Sequence, residues 1–181
     1  MDFEEKTVQS DILYQGKIIN LRKDIALLPN GEKAIREVIE HPGGVAVAPL
    51  TAEGELLMVR QFRYPYKEVV LELPAGKLSL GEDPLTCGKR ELQEETCATA
   101  VEYKSLGILY PSPGYVNEKI HLYLAKGLTF GEQNLDEDEF LSVESIPLER
   151  AVDMALSGEI TDAKTLAIVL KIYALQCRGE L

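Results

Sequence analysis

The run Val45-Ala46-Val47-Ala48 most narrows what this chain can become. Its residues are apolar without the alternation of a strand that shows one face to water, so it predicts a strand covered on both faces. A strand of that kind needs a layer on each side. Downstream, Asp83 can cap a helix, Pro84 suits the first helical position, and Leu85, Gly88 and Leu92 fall on one inward stripe, which predicts a helix ending near Thr96-Cys97. Two further helices are predicted over residues 148–156 and 162–177. Strands are predicted over 56–59, 69–73, 103–109, 119–125 and 140–146, with Ile120, Leu122 and Leu124 on one face. Strands, helix, strands, helices in that order predict an α+β fold, a mixed β-sheet sandwiched between helices.

Ahead of the central strand, residues 14–28 are rich in Ile and Leu, Pro29-Asn30-Gly31 is a turn signal, and residues 33–40 alternate, which together predict a β-hairpin. We therefore divide the 181 residues into an N-terminal β-hairpin region, 1–41, and a main domain, 42–181. No segment approaches the roughly 20 apolar residues that span a bilayer, and the start Met-Asp-Phe-Glu-Glu-Lys lacks the pattern of a signal peptide. The expectation is a cytoplasmic protein with no membrane partner.

The three cysteines, Cys87, Cys97 and Cys177, are scattered without a CxxC pair, so neither a disulfide framework nor a zinc site is written here. Net charge is -11 and Lys and Arg never cluster, which argues against a nucleic-acid partner. An anionic substrate would then need something else to neutralise it, and a divalent metal held by carboxylates is the obvious means.

Carboxylates are concentrated on the first predicted helix. Glu91, Glu94 and Glu95 stand at i, i+3 and i+4, which brings Glu91 and Glu95 to one side. Like charges so placed cost a few tenths of a kcal/mol per pair unless a cation lies between them. A solvated acidic face is the ordinary alternative. What sets this stretch apart is its surroundings: Gly76, five residues, Glu82, seven residues, then Arg90-Glu91-Leu92-x-Glu94-Glu95-x-x-Ala98.

That stretch resembles the Nudix box at nearly every specified position. The resemblance implies the Nudix fold and a Nudix hydrolase domain over 42–181. It implies that Glu91 and Glu95 bind Mg²⁺ or Mn²⁺, with Glu94 and the Ala75 carbonyl as further ligands. Arg90 would orient the glutamates and Glu82 would tie the loop to the helix. Cys97 departs from the pattern, standing where the family usually has glycine in a left-handed terminal conformation; a Cβ there costs roughly 1 kcal/mol.

Outside the box, Arg60-Gln-Phe-Arg63 before Glu72-Leu-Pro-Ala-Gly76, then Pro111-Ser-Pro-Gly-Tyr-Val-Asn-Glu118, then Asp136-Glu-Asp-Glu139 resemble the ADP-ribose pyrophosphatase branch. This implies a nucleoside diphosphate substrate, with ADP-ribose cleaved to AMP and ribose 5-phosphate by in-line attack of an activated water. Arg63 would contact the diphosphate and Glu118 the terminal ribose, while Glu137 would serve as base and Glu139 as a further metal ligand, the two roles being exchangeable. The N-terminal hairpin resembles the piece this branch uses to form a homodimer, with Ile19 and Arg36 as adenine-side contacts. The alternatives are a Nudix hydrolase of another nucleoside diphosphate sugar or dinucleotide, and a non-catalytic ADP-ribose sensor.

Overall fold

A computed structural model describes residues 3–131 and 140–181. It divides into two compact units, one of Met1–Gly43 with Tyr110–Lys119 and one of Gly44–Leu109 with Ile120–Leu181.

In the first unit β1 (Lys6–Gln15), β2 (Asn20–Leu27) and β3 (Lys33–Glu40) form an antiparallel sheet in that order. The β2–β3 hairpin is the expected one, and its turn uses Gly31 at φ 85°, a conformation that glycine adopts without strain. The first strand was not foreseen. Tyr14 lies in β1 opposite Leu21, so the single strand expected from residue 14 is two strands, joined by a turn in which the Gly16 N–H donates to the Ile19 carbonyl at 2.9 Å. Every residue of β1 is exposed, so no buried face left its alternation in the sequence. Residues 110–119 lie along β3, where the Ile39 N–H donates to Tyr115 O at 2.8 Å and the Asn117 N–H to Ile39 O at 3.1 Å.

The second unit contains β4 (Gly44–Pro49), β5 (Glu55–Arg63), β6 (Glu68–Glu72), β7 (Ala75–Lys77), α1 (Pro84–Thr96), β8 (Ala98–Leu109), β9 (Ile120–Phe130), β10 (Leu141–Pro147), α2 (Leu148–Ser157) and α3 (Ala163–Cys177). The mixed sheet has the order β7-β4-β9-β8 with β4 and β9 parallel, and a second, antiparallel sheet has the order β10-β5-β6. All six residues of β4 are buried. Val45 and Val47 join a core cluster with Cys87 and Leu92 of α1, while Ala46 and Ala48 join another with Met154 of α2 and Ile168, Val169 and Ile172 of α3. The central strand thus carries helices on both faces. Helix α1 comes close to it because Gly88 has no side chain: a Cβ there would lie 3.1 Å from both Val45 Cγ2 and Val47 Cγ2. Among the described residues, no helix is long and apolar enough to cross a membrane.

The ends of α1 follow from its sequence. The Asp83 carboxylate accepts the Thr86 N–H and Pro84 opens the helix, while Cys97 closes it at φ 60°, ψ 7° with its N–H on Gln93 O. A residue with a Cβ is strained in that left-handed region, and glycine is not. Cys97→Gly is therefore expected to stabilise the protein by about 1 kcal/mol, read as a higher denaturant midpoint at unchanged slope. An unchanged or lower midpoint would mean that the cysteine side chain returns in packing what its backbone loses.

Candidate functional site

The end of β6, the strand β7 and the buried face of α1 bring the box residues together. Leu73 is fixed by its N–H on Thr165 Oγ1 at 2.9 Å, and Pro74 by its carbonyl on the Val47 N–H at 2.9 Å. The Ala75 N–H then donates to Glu95 Oε2 at 3.0 Å, so α1 and β7 are tied through one of the very glutamates in question. Gly76 lies against the other. A Cβ at Gly76 would fall 1.8 Å from Glu91 Cδ and 1.9 Å from Oε1, so the glycine provides the space that the Glu91 carboxylate occupies.

Glu91 is 6% exposed and Glu95 2%, on one face of α1. Carboxylates buried side by side are screened far less than surface ones, so a solvated acidic face does not describe them. Arg90 answers part of that charge: its guanidinium meets Glu91 Oε1 at 2.8 Å, Glu94 Oε2 at 2.7 Å and Glu82 Oε1 at 3.3 Å. Burial works to lower the Arg90 pKa, but Glu82, Glu91 and Glu94 outweigh it and hold the guanidinium charged well above its ordinary value. Glu82 also accepts the Ser79 N–H at 2.9 Å, which with Arg90 depresses its pKa and ties the loop to the helix. Cys87, against this cluster, is pushed up to about 12 by burial and then by Glu91 and Glu82, so its thiol stays protonated and is no nucleophile.

Oxygen-rich, anionic and partly buried, this donor set suits a hard divalent cation better than a soft one. Among the described residues, no three His, Cys, Asp or Glu side chains converge on one point. Arg90 gathers Glu82, Glu91 and Glu94 around itself. Glu91 and Glu95 on the buried face of α1, with the Ala75 backbone at the start of β7, fit a cation in the chemistry of their donors.

Arg63 ends β5 beside this region. Its Nε and Nη2 donate to the two oxygens of Glu72, each at 2.6 Å, which leaves three further N–H groups on a guanidinium that Asp162 and Glu95 also attract. Glu72 is 1% exposed, and the ammonium of Lys164 reaches its Oε2 from the first turn of α3. Neither Glu72 nor Lys164 is singled out by sequence. Glu72 could have been noticed inside Glu72-Leu-Pro-Ala-Gly76; nothing local marks Lys164.

Burial works to raise the Glu72 pKa, and Arg63 and Lys164 together override it, leaving the carboxyl below its ordinary value of 4.5. A depressed carboxyl contributes stability that is present above its unfolded-state pKa and is lost as pH falls through the folded-state one. Glu72→Gln is therefore expected to be less stable than wild type at neutral pH, with the gap closing as pH drops below 4.5. Thermal melts of both proteins across pH check this; a gap that stays constant into acid would show that Glu72 contributes no charge interaction.

The other sequence candidates lie elsewhere. In the first unit, Arg36 is paired with Glu5 at 2.7 Å, Ile19 is half-buried at the β1–β2 turn, and Glu118 Oε1 stands 3.3 Å from His41 Nδ1. Glu137 and Glu139 lie outside the described residues.

A NUDIX domain model matches residues 40–167, and a model described as the nucleoside diphosphate sugar hydrolase N-terminal domain matches residues 5–39. The chain is 44% identical over 175 residues to an ADP-ribose pyrophosphatase of Bacillus subtilis (strain 168), covering 96% of this chain and 91% of that protein. It is 41% identical over 169 residues to a methanol dehydrogenase activator of Bacillus methanolicus, covering 92% and 91%. A crystal structure of an ADP compounds hydrolase superposes with a TM-score of 0.86 over 100% of both chains at 19% identity, a likeness of fold.

Proposed function

The chain belongs to the Nudix hydrolase family, and from that premise we propose that it hydrolyses the pyrophosphate bond of ADP-ribose to AMP and ribose 5-phosphate. The observation that carries the reaction class is the buried Glu91–Glu95 pair set against Gly76 and Ala75. Substrate choice is supported by the similarity to an ADP-ribose pyrophosphatase along nearly the whole chain.

The family's chemistry depends on a divalent metal, and we infer Mg²⁺, with Mn²⁺ as the other hard ion that such oxygen ligands accept. Glu91, Glu95, Glu94 and the Ala75 carbonyl would hold it, joined by Glu139. When bound, it supplies stabilisation of the charge that builds on the diphosphate and lowers the pKa of the attacking water. The protein's own residues do the rest. Arg90 holds three carboxylates in place, and Gly76 keeps the space for one of them open. Arg63 offers the N–H groups that do not bond Glu72 to phosphate oxygens. Glu137 takes the proton of the incoming water, in line with the P–O bond that breaks.

We place Glu118 at the terminal ribose and Ile19 and Arg36 at the adenine of a neighbouring subunit, in a homodimer built through the N-terminal sheet. Exposed apolar side chains in that sheet, Val8, Ile12, Leu13, Tyr14 and Ile35, support such a contact. A cytoplasmic location agrees with three free cysteines.

A second reading, hydrolysis of another nucleoside diphosphate sugar, is favoured by the match of residues 5–39 to the N-terminal domain of such hydrolases. A substrate panel separates the two: kcat/KM for ADP-ribose should exceed that for ADP-glucose and GDP-mannose by at least about tenfold, a little over 1 kcal/mol of transition-state discrimination. Equal or reversed preference would favour the second reading. On the preferred substrate, Glu137→Gln and Glu139→Gln should each lower kcat by orders of magnitude, of the size general-base and metal roles supply. Wild-type turnover in both would remove the loop from the mechanism.

A further inference from the structure

Lys164 is only 9% exposed, and its ammonium donates to Asp162 Oδ1 at 2.9 Å and to Glu72 Oε2. Burying a lysine is costly, and a buried ion pair is on average no more stabilising than apolar residues of the same volume. Stability alone therefore gives little reason for a cation here. Its position suggests another. Glu72 Oε1 accepts from Arg63 Nε, and Oε2 accepts from both Arg63 Nη2 and Lys164.

Three N–H donors from two cations on one carboxylate pin the plane of Glu72, and with it the plane of the arginine fork that shares two parallel hydrogen bonds with it. Lys164 is held in turn by Asp162, whose other oxygen caps α3 by accepting the Thr165 N–H at 2.9 Å, so the ammonium is anchored to the helix from which it reaches. Arg63 itself is 38% exposed in its side chain, so the face of the guanidinium turned away from Glu72 is accessible.

We propose that Lys164 is a positioning residue for substrate: acting through Glu72, it holds the Arg63 guanidinium in the orientation that receives the diphosphate. This rests on Arg63 as the diphosphate contact. The backbone beside it is held from the same helix, since Thr165 fixes Leu73. The first turn of α3 therefore sets both the arginine and the approach to Ala75.

The test is steady-state kinetics on ADP-ribose with Mg²⁺ for wild type, Lys164→Met, Lys164→Arg, Arg63→Ala and the Arg63→Ala/Lys164→Met double variant. Lys164→Met should raise KM roughly tenfold, as weakening one charge-assisted phosphate contact does, with kcat within about threefold of wild type. Lys164→Arg should restore KM. In the Arg63→Ala background, Lys164→Met should add nothing. An unchanged KM in Lys164→Met beside a raised KM in Arg63→Ala overturns the role of Lys164 alone, and so does the same proportional loss with and without Arg63. A wild-type KM in Arg63→Ala overturns the assignment of Arg63 and the proposal with it. If Lys164→Met does not fold, Lys164→Gln, which keeps a donor and drops the charge, is held to the same outcomes.

Discussion

Glu95→Gln is expected to lower kcat by on the order of 10²–10³-fold, the scale of removing a charged group that stabilises a phosphoryl transition state, while the protein still folds. The side chain is 2% exposed, so a change of shape would be felt through the whole core, but glutamine keeps the shape. Its amide oxygen can still accept the Ala75 N–H that Glu95 Oε2 accepts now. Only the charge goes. Thermal melts should therefore stay near wild type or rise, because a buried anion next to Glu91 has been neutralised. Kinetics at several Mg²⁺ concentrations check the other half: the residual activity should need more metal. Wild-type kcat in a folded Glu95→Gln protein would show that this carboxylate is structural.

Gly76→Ala is expected to be nearly as damaging, about 10–100-fold in turnover or apparent metal affinity, the range seen when a ligand's support is disturbed. Glycine is required here for room, since Gly76 is not among the glycines with positive φ. One methyl would stand 1.8 Å from Glu91 Cδ. A side-chain end can swing away where backbone cannot, so the fold should survive and the carboxylate should leave its place. Circular dichroism should be unchanged. The double variant Gly76→Ala/Glu91→Gln should be no worse than Glu91→Gln alone, because both remove the same carboxylate from the same place. Additive losses would mean that Gly76 acts through something other than Glu91.

What could be foreseen from the sequence depended on the range of the interaction. Helix α1 was legible to its ends because its signals are local: Asp83 and Pro84 at one end, and at the other a residue in the place of a glycine, Cys97, that the backbone holds at φ 60°. The central strand was legible because burial on both faces leaves an unbroken apolar run. Strand β1 was not, having no buried side to write a pattern. Nor was β7, whose three residues become a strand only by pairing with β4. The same division runs through the site. Glu91 and Glu95 stand one helical turn apart, so their shared face can be derived from spacing. Glu72 and Lys164 are 92 residues apart, and no periodicity brings them together. Arg63 was expected to face an anion, but its hold on Glu72 could not be foreseen, because the two are not strand partners: Arg63 pairs with Glu68 and Glu72 with Val59, and the long side chains meet along the sheet.

Whether the protein cleaves ADP-ribose at its pyrophosphate is decided by product analysis after incubation with ADP-ribose and Mg²⁺. AMP and ribose 5-phosphate are expected in equal amounts, abolished by chelator and greatly slowed in Glu95→Gln. Tight binding of ADP-ribose with no AMP released would contradict it and make the chain a sensor.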